Sequence, residues 1–240
     1  MKNIIGHLQL MWLMKSPPAL FSRLFGLPWY RNMLEQWIAP ILAPDAKVLE
    51  VGCAGGDFSR SLAERNMKVW AADRSSRMVE KAQQIPSSVE FKQADATRLP
   101  FSDQYFDVVL AASLINVVDS PRDVLAEMCR VCRTGGMVSV LVPNQLFSDA
   151  DAKHYLEAEQ LSGFSGAAFA TWHRLARKMD VDVLHGYFND CGMANITTKN
   201  LLGSMVVAMS GQPSKLGEFI PKPGQQVENS LPLWDSTFIY

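Results

Sequence analysis

The residues best placed to do chemistry are a glycine-rich run, VLEVGCAGGDF at 48–58, and two aspartates that follow it, Asp73 and Asp95. The run sets Gly52, Ala54, Gly55 and Gly56 between an apolar, strand-like segment and a helical pattern. Glycine lets a backbone turn sharply and lets a ligand approach without meeting a Cβ. A dinucleotide fingerprint GxGxxG beginning at Gly52 requires glycine at 54 and 57, where this chain has Ala54 and Asp57. Asp57 also puts a carboxylate at a helix N-terminus, where a pyrophosphate needs bare N–H groups and positive potential. The turn therefore suits an adenosyl ligand without phosphates better than a nicotinamide dinucleotide. Asp73, about twenty residues further on, can accept hydrogen bonds from both hydroxyls of a ribose, which serves either ligand class. Asp95 with Ala96 would offer an acidic side chain and a backbone N–H to the edge of an adenine.

The elements that must position these residues are strands alternating with helices. Five apolar runs, KVLEV (47–51), KVWAAD (68–73), VEFKQAD (89–95), FDVVLAAS (106–113) and MVSVLVP (137–143), read as strands of a parallel sheet. The last two are nearly unbroken, as in central strands covered by helices on both faces. Phe58 and Leu62 lie one helical turn apart, and Met78, Val79, Ala82 and Ile85 form a second stripe, with Ser75 and Ser76 as candidate N-caps. A third helix is expected to open at Ser120 and Pro121 and to end at Gly135 and Gly136. Residues 1–43 read as an N-terminal helical cap broken by prolines, 44–210 as the ligand-binding domain with a helical insertion at about 145–180, and 211–240 as an irregular C-terminal tail. Within 181–210 we expect a helix and two more strands, the second being SMVVAMS. The apolar end of the tail, LPLWDSTFIY, is expected to dock on its own domain or on a second subunit, as in a homodimer.

Composition narrows the partners. The 23 basic residues nearly cancel the 24 acidic ones, so no net field attracts nucleic acid or an anionic membrane. Cys53, Cys129, Cys132 and Cys191 are too few and too unevenly spaced for a disulfide framework, which points to a reducing, cytoplasmic setting. Cys129 and Cys132 fall on a predicted helix with no second pair, so no metal site is expected. The opening MKNIIGHLQLMWLM reads as neither a signal peptide nor an integral membrane segment.

The segments EVGCAGG (50–56), AADRSSRMVEKA (71–82), QADATRLPFSDQYFDVV (93–109) and LAEMCRVCRTGG (125–136) together resemble the class I S-adenosylmethionine-dependent methyltransferases, in particular their small-molecule branch. The resemblance spans roughly residues 40–145. It implies a Rossmann-like α/β fold: a seven-stranded, mostly parallel sheet with an antiparallel last strand and helices on both faces. It implies S-adenosyl-L-methionine as cofactor and S-adenosyl-L-homocysteine as its product. The residues expected to bind the cofactor are Tyr30, Glu50, Gly52, Cys53, Ala54, Gly56, Asp73, Arg74, Met78, Asp95, Ala96, Ala112 and Ser113. The glycine turn would lie beside the methionine portion, Asp73 at the ribose, Met78 and Asp95 with Ala96 around the adenine, and Ala112 with Ser113 near the transferred methyl. The chain departs from the family in three places. Ala54 replaces a usual glycine, Ile115 and Asn116 stand where many relatives carry histidine, and Thr134 replaces a common proline.

A sulfonium is already an activated methyl donor, so a protein that uses it has mainly to align donor and acceptor and exclude water. A base, where one is needed, belongs to the acceptor pocket. Among His154, His173, His185 and Tyr30 the residue singled out is His173, next to Trp172; Asn116, His154 and Trp172 are the candidate substrate contacts. Trp12, Trp29 and Trp37 read either as ordinary helix packing or as an apolar lid or membrane-touching surface. The NPPY-like motif of enzymes that methylate nucleic-acid amino groups is missing after the fourth strand, where the chain reads AASL. The expected activity is methyl transfer to a small, hydrophobic molecule. The rival readings are a noncatalytic adenosyl-binding protein and a nicotinamide-dependent oxidoreductase.

Overall fold

A computed structural model describes residues 23–214; Trp12 and the apolar end of the tail lie outside them. The elements, in chain order, are α1 (Pro28–Ile38), β1 (Lys47–Val51), α2 (Asp57–Ala63), β2 (Lys68–Asp73), α3 (Ser76–Gln83), β3 (Glu90–Gln93), β4 (Phe106–Ala112), α4 (Pro121–Val131), β5 (Cys132–Pro143), α5 (Asp149–Ala158), α6 (Gly163–Leu175), α7 (Val181–Asp190), β6 (Met193–Leu201) and β7 (Val206–Pro213). The strands form one seven-stranded sheet in the order β3-β2-β1-β4-β5-β7-β6. Strands β1 to β5 pair in parallel, and β7 runs antiparallel to both of its neighbours, β5 and β6. The sheet is thus mostly parallel with an antiparallel last strand, as the resemblance implied.

Alternation along the strands builds a core on each face. Val48, Val69, Ala71, Val108 and Leu110 point to one side with residues of α1, α2, α3 and α6. Leu49, Val51, Ala72, Val109 and Ala111 point to the other with residues of α4 and α7. Both faces are covered, which explains the unbroken apolar runs of the central strands. A polar thread crosses this core: the Trp37 indole donates to Ser139 Oγ at 2.8 Å, and Ser139 Oγ lies 2.7 Å from Ser210 Oγ. A buried indole N–H is satisfied there at the centre of the sheet.

The local signals acted as helix starts. Ser75 caps α3 by accepting from the Met78 amide at 3.4 Å, and Pro121 opens α4. Pro28 opens α1 in the same way, because the first helical position needs no N–H partner. The C-terminal boundary expected for α4 was wrong. The helix stops at Val131, and the following CRTGG is already β5, with Cys132 paired to Phe106 and a register irregularity before Val108. Gly135, at φ +70°, absorbs that irregularity within the strand rather than ending the helix. The expected tail also begins too early, since Gly211, Gln212 and Pro213 belong to β7.

Candidate functional site

The chain runs from β1 out to β2 and β3, then returns to place β4 on the other side of β1. The order of strands reverses between β1 and β4, and in open α/β sheets the crevice outside the carboxyl ends at that point is where ligands bind. The glycine turn and the two aspartates all lie at this edge.

The turn is tied to its neighbours by backbone hydrogen bonds. The amides of Gly52 and Cys53 both donate to the Ala72 carbonyl, at 2.7 and 3.1 Å. Gly52 sits at φ +79° and Gly56 at φ +75°, values that favour glycine. A side chain at Gly52 would meet Leu114, 3.1 Å away, in the loop after β4. At Gly56 a Cβ would collide with the Phe91 ring at 2.5 Å. The first glycine thus lets the turn approach the β4 loop, and the second lets α2 pack close to β3. Ala54 adopts φ +45°, so it takes the left-handed conformation of the glycine it replaces.

Asp73 is locked at the end of β2. One carboxylate oxygen accepts the Ala54 amide at 2.9 Å and the other accepts the Ser75 amide at 2.9 Å. Each oxygen retains lone-pair capacity. The β2 and β3 ends are stitched together, the Ala94 amide donating to the Asp73 carbonyl at 3.0 Å and the Gln93 side-chain Nε2 to the Arg74 carbonyl at 3.1 Å. Asp95 follows, exposed, with Oδ1 accepting from the Thr97 amide and hydroxyl, both at 2.8 Å. Those two bonds, with the nearby Arg74 charge, hold its carboxyl below the usual range. Ala96 is half-buried beside it. Met78 is buried yet belongs to neither hydrophobic cluster.

Glu50 is 3% exposed at the end of β1 and accepts a short hydrogen bond from Ser59 on α2. Burial pushes its carboxyl up to about 8, against the Ser59 bond, and the charges of Asp73 and Asp57 add to the shift. Burial and Glu50 together raise Tyr30, on α1, to about 12. Cys53 is raised as well, first by burial and then by Glu50 and Asp73. Tyr30, Glu50, Cys53 and Asp73 therefore form one electrostatic neighbourhood, in which Glu50 holds its proton near pH 7 and the negative charge it feels comes from Asp73 and Asp57. Such a setting disfavours a pyrophosphate and favours a ligand carrying positive charge. S-Adenosylmethionine carries a sulfonium and an ammonium and has no phosphate, so the residues present fit it.

Across the edge, β4 ends at Ala112, and Ser113 takes φ +55° while its amide donates to the Leu141 carbonyl at 2.7 Å. Asn116 is buried, its amide nitrogen donating to the Arg177 carbonyl at 2.8 Å just past α6. Helices α1, α5 and α6 bring together an aromatic group. The Trp29 ring meets Phe169 edge-on at 5.2 Å and Trp172 at 5.9 Å, and Tyr155 stacks on Phe169 at 5.0 Å. His173 belongs to the same helix as Phe169, one turn away, and is 3% exposed. Its Nδ1 lies 3.5 Å from Asp149 Oδ1. His154 is exposed on α5 and is not brought into this group.

The methyltransferase-domain family matches residues 49–140, the span that contains the glycine turn, both aspartates and β4. The chain is a class I S-adenosylmethionine-dependent methyltransferase. This methyltransferase is 28% identical, over 69% of its length and 72% of the relative's, to the ubiquinone/menaquinone biosynthesis C-methyltransferase UbiE of Stutzerimonas stutzeri. It is 37% identical to the phosphatidylethanolamine N-methyltransferase of Cereibacter sphaeroides, over 43% of its own length and 53% of that relative's. It shares its fold with the S-adenosylmethionine-dependent methyltransferase of Aquifex aeolicus, at TM-score 0.58 and 16% identity, over 86% of this chain and 98% of that one. The nicotinamide reading is set aside with these findings.

Two features of the methyltransferase escaped the sequence reading. Trp29 and Trp37 share helix α1, yet only Trp37 finds a partner for its indole N–H; Trp29 Nε1 is buried and has none among the described residues. Ser59, which holds Glu50, carried no signal beyond its place one turn into α2. No helix among the described residues is long and apolar enough to cross a membrane, and no group of three or more His, Cys, Asp or Glu there is placed to hold a metal.

Proposed function

We propose that this methyltransferase transfers a methyl group from S-adenosylmethionine to a small, hydrophobic acceptor received between α1, α6 and the loop after β4. The observation that carries the reading is the juxtaposition of the glycine turn with the aromatic group, through adjacent residues of α1: Tyr30 feels Glu50 while Trp29 packs on Phe169 and Trp172. When bound, the sulfonium supplies the activated methyl. The chain's residues do the rest. The backbone of Gly52, Cys53, Ala54 and Gly56, with Glu50 and Tyr30, would hold the methionine portion. Asp73 and Arg74 would take the ribose, and Met78, Asp95 and Ala96 the adenine. Ala112 and Ser113 would border the methyl, and the aromatic walls would exclude water from the line of transfer. Asn116, Trp172 and His173 are the acceptor side of the site, with His173 as its base. Residues 23–43 act as a cap that closes the site, and the setting proposed is cytoplasmic.

The relatives support a hydrophobic acceptor, since one is named for quinone biosynthesis and another for a phospholipid amine. The test has two parts. Calorimetry with S-adenosylhomocysteine should give saturable binding at one site per chain, and failure to bind overturns the reading. A methyl-transfer assay over fractionated metabolites should then form S-adenosylhomocysteine with apolar fractions; turnover confined to polar fractions would remove the hydrophobic acceptor.

A further inference from the structure

The four cysteines fall into two kinds. Cys53 and Cys132 are buried, the first in the turn after β1 and the second at the start of β5, where its thiol lies 3.9 Å from the Asp107 carbonyl. Cys129 and Cys191 are half-buried, and they meet each other. Cys129 stands in the last turn of α4, Cys191 caps the C-terminus of α7, and a hydrogen bond joins their side chains. Spacing along the chain draws the eye to Cys129 and Cys132, whereas the fold pairs Cys129 with a thiol from another helix.

The two helices are fastened around this contact. Leu125 and Met128 of α4 and Leu184 and Phe188 of α7 are buried in one cluster, so the helices cannot part without exposing it. Arg122, in the first turn of α4, pairs with Asp190 at 3.1 Å and lies over the Tyr187 ring at 5.2 Å. The Cys191 amide donates to the Tyr187 carbonyl at 3.1 Å, which fixes the backbone that carries the second thiol. Two sulfurs already in contact have to approach by at most roughly 2 Å to bond at about 2.05 Å, a movement that side-chain torsions supply. The thiols are not equivalent. Their hydrogen bond keeps the proton on Cys129, whose thiol is pushed well up, with burial adding to the shift. The same bond lowers Cys191, against burial and the Asp190 charge, with help from Arg122. A thiolate rather than a thiol is the nucleophile, so Cys191 is the reactive member and Cys129 the thiol poised beside it.

We propose that Cys129 and Cys191 form an oxidation site at which hydrogen peroxide closes a reversible disulfide that staples α4 to α7. The Cys191 thiolate attacks one peroxide oxygen, the O–O bond breaks, and hydroxide departs to leave a sulfenic acid on Cys191. The Cys129 sulfur then attacks the Cys191 sulfur, the S–O bond breaks, and the Cys129 proton leaves with that oxygen as water. The two sulfurs together lose two electrons, and the peroxide gains them, ending as two waters once the hydroxide takes up a proton. Both helices pack in the cluster that excludes α1 and α6, so the staple lies apart from the proposed acceptor region. It constrains the unfolded chain and therefore stabilises the folded one.

The test treats the whole reduced chain with hydrogen peroxide beside glutathione as a free-thiol reference, then alkylates with N-ethylmaleimide and maps peptides by mass. As glutathione is consumed, the four alkylated cysteines of the native protein should fall to two. The peptides of Cys129 and Cys191 should be joined by a bond that dithiothreitol cuts. The thermal midpoint should rise by about 5–10 °C on oxidation and return on reduction. In Cys129→Ser no bond should form within the chain, and dimedone should trap a sulfenic acid on Cys191. Four alkylated thiols when the glutathione is spent overturn the inference, as does a bond that involves Cys53 or Cys132 or that joins two chains. A midpoint that stays or falls overturns the staple, and a Cys191 that dimedone does not label in Cys129→Ser overturns its role as the attacking thiol. If Cys129→Ser fails to fold, the peptide map of the native protein still decides the matter.

Discussion

The turn after β1 and the aromatic group of α1, α5 and α6 treat their polar atoms in opposite ways. In the turn, the amides of Gly52, Cys53, Ala54 and Ser75 and the carboxyls of Glu50 and Asp73 are bonded within the protein itself. In the aromatic group, an indole N–H, an imidazole nitrogen and an amide oxygen are buried without partners among the described residues. The difference teaches where ligand specificity resides. A region that satisfies itself is preorganised, so binding there costs little reorganisation. A region with buried unmet groups gains most from the one ligand chemistry that meets them.

The largest expected effect probes the turn through Glu50. Its carboxyl stands at about 8 in the folded chain against 4.5 ordinarily, so the native state holds this proton more tightly than the unfolded state does. Stability from this group is full at low pH and declines as pH rises from about 4.5 through about 8, by at most about 5 kcal/mol. Glu50→Gln keeps an acceptor for Ser59 and removes the titration. Urea unfolding of both proteins across that range should show curves that diverge as pH rises, with the variant the more stable at the alkaline end. Parallel curves would mean that the carboxylate is accommodated, and that the turn is less desolvated than its burial suggests.

Next in size is Gly56→Ala, which adds a methyl 2.5 Å from the Phe91 ring at a residue with φ +75°. Strain and overpacking together should cost about 3 kcal/mol in chemical denaturation. A loss well under that would show that Phe91 can withdraw and that the turn is softer than its hydrogen bonds imply. Asp73→Asn comes third. It keeps one acceptor oxygen where the two amides of Ala54 and Ser75 use two, and it removes the charge proposed above to meet a ribose. S-Adenosylhomocysteine affinity should fall about 10- to 100-fold by calorimetry. An unchanged affinity would detach Asp73 from the ligand and leave it a purely structural clamp.

The same contrast explains what could be read from the sequence. The turn was legible because its chemistry is local. Gly52, Asp57 and Asp73 lie close along the chain, and the two strands that present them carry clear apolar patterns. A parallel sheet was legible from the alternation of strands and helices, whereas its seven strands and antiparallel last strand were implied by the family resemblance. The aromatic group was only half legible. His173 and Trp172 could be singled out, but nothing local distinguishes Trp29 from Trp37, two tryptophans on one helix. Their difference arises from what α1 meets: Ser139 in the middle of the sheet for one, and Phe169 and Trp172 on α6 for the other. His154 was a reasonable candidate by type, yet α5 leaves it exposed, and no spacing rule separates it from His173. The end of α4 was misread for a related reason. Two glycines in a row signal a helix stop, but pairing of Cys132 with Phe106 claims the preceding residues for the sheet.

The smallest expected effect tests whether the turn is as free of tension as its hydrogen bonds suggest. Ala54 holds φ +45° while its amide donates to Asp73, so a residue with a Cβ occupies a glycine-like conformation. The left-handed region costs a non-glycine residue about 1–2 kcal/mol. Glycine avoids that cost but loses about 0.5–1 kcal/mol more conformational freedom on folding. Ala54→Gly should therefore raise stability by less than about 1 kcal/mol, read as a small upward shift of the thermal midpoint. A lower midpoint would mean that the Ala54 methyl packs to advantage, and that contact, beyond hydrogen bonding, holds the turn. Comparing S-adenosylhomocysteine affinity in the same variant separates the two sources: strain relieved in the free protein leaves affinity unchanged, whereas a methyl that touches the ligand makes affinity move with its removal.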